Sequence, residues 1–213
     1  RYDASAHGRS DLPPVAYWDH ADLRALMDHL GIDRAVLVGL SMGGRVAIDM
    51  ALEEPQRVQA VVAVSSGLGG YLFESDFHFE NRKSMIAAWK SGDFDAVVEA
   101  FQREWTDGPR RSPDEVDPDI RERVRAMARA TVDSVMEGRS LYPPAIDRLA
   151  DLEVPMLVVV GALDMPGIHE IAELLVTANP QAEVVTIPNV AHMVNLEAPE
   201  EFNRLLLEYL EGF

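Results

Sequence analysis

The chain reads as an α/β protein, with a mostly parallel sheet flanked by helices and a helical cap inserted in the middle. Three observations predict this. Short, wholly apolar runs alternate with helical patterns near both ends of the chain. No two-residue hairpin turn joins any of these runs, so the strands must be linked by crossovers and lie parallel. Between residues 67 and 144 the buried-strand runs stop and only helical periodicity remains.

The elements follow in order. Asp19 is a candidate N-cap for a helix whose apolar side is Leu23, Leu26, Met27 and Leu30, and Gly31 supplies the stop. Residues 35–38 form a continuous apolar run ending in Gly39, the pattern of a strand buried on both faces. A helix over residues 42–54 is closed by Pro55, and residues 58–64 are again strand-like. In the middle, Phe94, Val97, Val98, Phe101 and Trp105 fall on one helical face. Asp117 and Pro118 open a helix carrying Ile120, Val124, Met127, Thr131 and Val135, with Gly138 at its end. The strand–helix rhythm then resumes with a strand over 154–161, a helix over 168–178 stopped by Pro180, and a strand over 183–187. A last helix from Pro199 buries Phe202, Leu205, Leu206 and Tyr209. The expected division is a core of residues 1–66 and 145–213, with residues 67–144 as the cap.

Composition narrows the function. The 213 residues include 19 Lys plus Arg against 36 Asp plus Glu, a net charge of −17. So acidic a surface repels phosphate backbones and anionic lipid, which argues against nucleic-acid and membrane partners. There is no cysteine, hence no disulfide, thiolate metal site or cysteine nucleophile. The longest apolar runs, such as residues 154–163, fall far short of the ~18 needed to cross a bilayer.

One motif carries chemistry. Gly39-Leu40-Ser41-Met42-Gly43 stands between a predicted strand and a predicted helix. A serine at so tight a turn is held in a strained conformation, with its hydroxyl exposed at the carboxyl edge of the sheet. The flanking glycines let neighbouring backbone approach without a Cβ clash. The helix N-terminus favours negative charge nearby, and the Met42 N–H would point at it. From 14 Gly and 11 Ser in the chain, chance supplies roughly 0.05 such matches. The plainer alternative is a glycine-rich turn with an N-capping serine.

A serine nucleophile needs a base and the base an orienting carboxylate. Of six histidines, His192 follows the 183–187 strand and would emerge on the same edge as Ser41. His7, His20, His29, His78 and His169 read as surface or packing residues. Asp164 follows the 154–161 strand just before Pro166; alone, it could be a helix cap. Trp89, Phe94, Phe101 and Trp105 are candidates to line a substrate pocket under the cap, with helical core packing the plainer reading of each. Arg45 and the Arg110-Arg111 pair could hold a substrate carboxylate, with solvated surface charge the plainer reading.

At these residues the chain resembles the α/β-hydrolase superfamily. Asp3-Ala4-Ser5-Ala6-His7-Gly8-Arg9-Ser10-Asp11 resembles a family loop written D-x-R-G-x-G-x-S, with Ser5 and Ala6 departing from Arg-Gly. The Gly39–Gly44 turn, the Gly161–Asp164 turn and the His192–Glu200 stretch match closely. The chain order Ser41, Asp164, His192 is the family's order. The resemblance is strongest to small intracellular carboxylester hydrolases, 3-oxoadipate enol-lactone hydrolases and carbon–carbon bond hydrolases. It implies a Ser-His-Asp triad acting on a small-molecule ester or lactone through an acyl-enzyme, in the cytoplasm, with no metal and no organic cofactor. It further implies a second oxyanion donor, from a His-Gly loop that this sequence lacks. The resemblance thus leads to the expectation that the 213 residues are the C-terminal part of a longer protein, with roughly 50 residues absent, since otherwise the strand before Ser41 has an unpaired edge. The competing functional readings are a non-catalytic ligand- or partner-binding protein of the same fold, and a perhydrolase or acyltransferase using the same three residues.

Overall fold

The computed structural model describes residues 1–213. Regular structure begins with β1 (Tyr17–Trp18) and α1 (Asp19–Leu30), followed by β2 (Ala35–Leu40), α2 (Met42–Glu53) and β3 (Val58–Val64). The segment between β3 and β5 contributes α3 (Asp76–Ser91), α4 (Phe94–Gln102), a π-helical turn (Arg103–Asp107), α5 (Pro118–Met136) and β4 (Ser140–Leu141). The chain then returns through β5 (Met156–Gly161), α6 (Pro166–Ala178), β6 (Ala182–Ile187), α7 (Val194–Glu197) and α8 (Pro199–Leu210).

Four strands form one parallel sheet in the order β2-β3-β5-β6. Its two central strands are apolar throughout because both faces are covered. On one face Val61, Ala63, Met156, Val158 and Val160 pack with α2 and α6. On the other, Val62, Val64, Leu157 and Val159 meet Phe202, Leu205, Leu206 and Tyr209 of α8. The faces alternate residue by residue, as the pleat requires. In α6, Ile168, Ile171 and Leu175 recur at helical spacing and are fully buried, each worth roughly 1.5–3 kcal/mol of burial. The strand β2 pairs only with β3, and Val38 on it is 46% exposed. A cleft lined by Leu23, Met27, Leu37 and Val46 runs alongside it. No helix is long and apolar enough to cross a membrane.

The helices α3, α4 and α5 have their own small core of Val97, Val98 and Val132, packed with Met85, Trp89, Phe94 and Met136. Their boundaries are chemical. Ser75 accepts from His78 N–H, Asp93 from Ala96 N–H and Asp117 from Asp119 N–H, each satisfying a first-turn donor. On α5 the buried row is Val124 and Val132, and Met127 and Val135 are exposed, contrary to the stripe read from the sequence. The row is chosen by the facing residues of α4, which periodicity alone does not contain. The sequence pattern offered no helix over α3, none of whose residues is fully buried.

Two further departures concern Asp19 and Arg45. Residue Asp19 is no N-cap: Trp18 occupies that position and makes no side-chain cap. The Asp19 carboxylate is buried, accepting from Arg45 Nη2 at 2.6 Å and from the Ser140 hydroxyl. Arg45 is correspondingly not solvated. It lies buried between Asp19 and Asp49 and beneath the Tyr142 ring. This network, with the short parallel pairing of β1 and β4, ties the segment leaving the cap to the helix that follows Ser41.

Candidate active site

All strands of the sheet point the same way, so the loops after β2, β5 and β6 leave from one edge. Those three loops carry Ser41, Asp164 and His192.

The whole connection from β2 to α2 is Ser41 itself, at φ 55° and ψ −113°. A non-glycine residue with positive φ costs on the order of 1–3 kcal/mol and persists only where its surroundings enforce it. They do so here. The N–H of Ser41 donates to Val64 O at 2.9 Å, and its carbonyl accepts from Arg45 and Gly67 N–H, both at 3.1 Å. A Cβ on Gly39 would lie 2.1 Å from the Gly43 backbone, and one on Gly44 2.4 Å from Ser66 Oγ. Gly43 differs from expectation, since a Cβ there would meet nothing within 4 Å. What must be small is Gly39 facing it. As the first helical residue, Met42 has an N–H with no acceptor inside the helix.

The loops after β5 and β6 are joined backbone to backbone. Ala162 N–H donates to Ile187 O and Leu163 N–H to Val190 O, both at 2.9 Å. Gly161 allows this approach, since a Cβ there would sit 2.1 Å from Ala191 O. Across the junction, His192 Nδ1–H donates to Asp164, 3.0 Å from Oδ2 and 3.1 Å from Oδ1. Both are nearly inaccessible, at 2% and 1% exposure. The carboxylate also accepts Met165 N–H at 2.7 Å, but the helix starting at Pro166 has Met165 as its N-cap residue, so Asp164 is not the cap. A carboxylate on Nδ1 holds the proton there and leaves Nε2 of the neutral ring as the basic nitrogen. The Ser41 hydroxyl makes no hydrogen bond within the protein.

Of the aromatic candidates, Trp105 alone packs against His192, its ring centroid 4.6 Å away and its plane tilted by 50°. It does so because α4 ends at Gln102 and the π-helical turn rotates it away from the face shared by Val97 and Val98. Trp89 and Phe94 belong to the small core of α3, α4 and α5, and Phe101 is half-buried on α4. Arg110 is exposed, whereas Arg111 is not a solvated charge: its guanidinium is held by Glu197 and by the Thr106 and Asp107 carbonyls. Sequence reasoning passed over Glu197, although it lies in the stretch after His192. It also passed over the buried pair of His78 with Glu104, which Asn81 completes at 2.7 Å. Nothing in their spacing marks them, because their partners come from other elements.

Known proteins place the chain. The model of the Alpha/beta hydrolase family matches residues 1–205. A 2-hydroxy-6-oxononadienedioate/2-hydroxy-6-oxononatrienedioate hydrolase of Burkholderia vietnamiensis is 27% identical over 215 residues, covering 98% of this chain and 74% of its own length. The crystal structure of a hydrolase from Pseudomonas aeruginosa PA01 superposes with a TM-score of 0.76 at 29% identity, covering 99% of this chain and 78% of that one. The enol-lactonase from Burkholderia xenovorans LB400 shares the fold, with a TM-score of 0.78 at 23% identity over 99% of this chain and 78% of that one.

Proposed function

The chain belongs to the alpha/beta hydrolase family, and from that membership we propose a serine hydrolase that cleaves a carboxylic ester, lactone or related carbonyl substrate through an acyl-enzyme. The observation that carries the reading is the buried His192–Asp164 pair, on the sheet edge where Ser41 occupies a strained one-residue turn.

The steps follow from the chemistry of these groups. Ser41 Oγ attacks the carbonyl carbon while His192 Nε2 takes its proton. Asp164 stabilises the resulting imidazolium and keeps the ring oriented. The tetrahedral oxyanion receives the Met42 N–H at the start of α2; one such donor is typically worth about 3 kcal/mol at the transition state. Collapse expels the leaving group, which takes the proton from His192. Water then gives a proton to His192 and attacks the acyl carbon, and Ser41 is released as the acid departs. Trp105, from the segment between β3 and β5, packs against the imidazole.

The relative named as a 2-hydroxy-6-oxononadienedioate/2-hydroxy-6-oxononatrienedioate hydrolase keeps an oxo-dienedioate beside the simple ester as a substrate class. A fluorophosphonate probe tests the nucleophile: it labels the protein, and Ser41→Ala removes the label. No labelling of the wild-type protein favours a non-catalytic binder instead. Turnover of p-nitrophenyl esters of increasing length, an enol-lactone and a vinylogous diketone then identifies the substrate class.

A further inference from the structure

One stretch of the cap grips both loops that carry the acid and the base. Gly108 seats between them: a Cβ there would come within 2.8 Å of Leu163 O and 3.3 Å of Ala191 Cβ. Arg110 Nη1 donates to Ala162 O at 3.3 Å. Arg111 reaches the base loop through Glu197, with Nη1 2.6 Å from Oε2. The other oxygen of that carboxylate accepts the Ala191 N–H at 3.0 Å, one residue before His192. The remaining guanidinium contacts turn back on the cap segment, Nε to Asp107 O at 2.9 Å and Nη2 to Thr106 O at 2.8 Å. Thr106 follows Trp105, whose ring lies against His192.

The Glu197–Arg111 pair therefore joins the two supports of the imidazole, the backbone that carries it and the aromatic ring that packs on it. Both side chains are buried, at 6% and 11% exposure. An exposed pair would hold little, but a buried carboxylate with both oxygens engaged fixes direction, and the planar guanidinium fork transmits it.

We propose that Glu197 is a positioning residue: with Arg111 it sets the orientation of His192 through the Ala191 N–H and through Trp105. The proposal rests on the reading of His192 as the base for Ser41. It makes the cap part of the catalytic scaffold, because the fork that aims the base belongs to the cap segment.

The test compares wild-type protein, Ser41→Ala, Glu197→Gln, Glu197→Ala and Arg111→Lys. Each is assayed for fluorophosphonate labelling rate, for kcat and KM on a p-nitrophenyl ester, and for melting temperature. An orientation error of about 1 Å can cost on the order of 100-fold in rate. Glu197→Ala is expected to lose about that much in labelling rate and kcat, with KM little changed. Glu197→Gln keeps an acceptor for Ala191 N–H and is expected to recover part of the loss, to within about tenfold of wild type. A purely structural role would lower the melting temperature of the variants and leave the labelling rate per folded molecule intact. That result overturns the proposal, and the isosteric Glu197→Gln and the charge-conserving Arg111→Lys read it out if the alanine variant does not fold. If Ser41→Ala abolishes labelling while every Glu197 and Arg111 variant labels at the wild-type rate, only this inference falls. If wild type does not label, or Ser41→Ala still does, the serine-hydrolase reading falls and takes the inference with it.

Discussion

Asp164 offers both carboxylate oxygens to a single proton on His192, at 3.0 and 3.1 Å, in surroundings that exclude water from both residues. The bifurcated contact fixes which ring nitrogen is protonated more firmly than a single bond would, since small ring rotations exchange one oxygen for the other without losing an acceptor.

Replacing Asp164 by Asn should therefore act through the tautomer. The amide can donate to Nδ1, which moves the ring proton to Nε2 and removes the base. A loss of kcat on the order of 10⁴ is expected, with the fold intact. Ester turnover measured beside far-ultraviolet circular dichroism checks it; activity within tenfold of wild type would mean that Asp164 does not orient His192.

Strain at Ser41 sets function against stability. Glycine adopts φ 55° freely, so Ser41→Gly should relieve on the order of 1 kcal/mol and raise the melting temperature by about 2–4 °C while abolishing activity. Scanning calorimetry of the two proteins measures the difference, and an unchanged or lower melting temperature would show that the turn is not strained.

The two glycines flanking Ser41 should respond in opposite ways. Gly39→Ala drives a methyl group to 2.1 Å from the Gly43 backbone and should cost several kcal/mol or prevent folding. Gly43→Ala meets nothing within 4 Å and lies in the first turn of a helix, where alanine gains up to ~1 kcal/mol over glycine. Urea denaturation of both variants separates them; equal destabilisation would contradict the packing described for this turn.

Asp49 should make stability depend on pH. It is fully buried beside Arg45, with Oδ1 unpartnered, and burial pushes its carboxyl up to about 7 despite the guanidinium. The unfolded group titrates near 3.9. Between these values the folded chain holds a proton that the unfolded chain has released. The stabilisation from this site is thus complete below about pH 4, falls as pH rises, and is gone above about 7. Asp49→Asn should flatten the melting-temperature profile in that window relative to wild type. Parallel profiles for the two proteins would show that the ion pair with Arg45 keeps Asp49 ionised throughout.

The order and type of the core elements were readable because a parallel sheet covered on both faces demands unbroken apolar runs, and such runs at 58–64 and 156–161 leave little else for the chain to do. Ser41 and Asp164 each follow closely on such a run, whereas His192 stands beyond a strand, Ala182–Ile187, that Glu183 and Thr186 interrupt. Residues whose role lies in a partner from another element were not readable. Arg45 and Arg111 look like surface charges until Asp19, Asp49 and Glu197 are brought against them. Trp105 looks like one more residue of a helical stripe until the π-helical turn redirects it onto His192. Local periodicity records which face of an element is apolar. It holds no information about which distant side chain will arrive to neutralise a buried charge, because that is decided by packing between elements far apart in the chain.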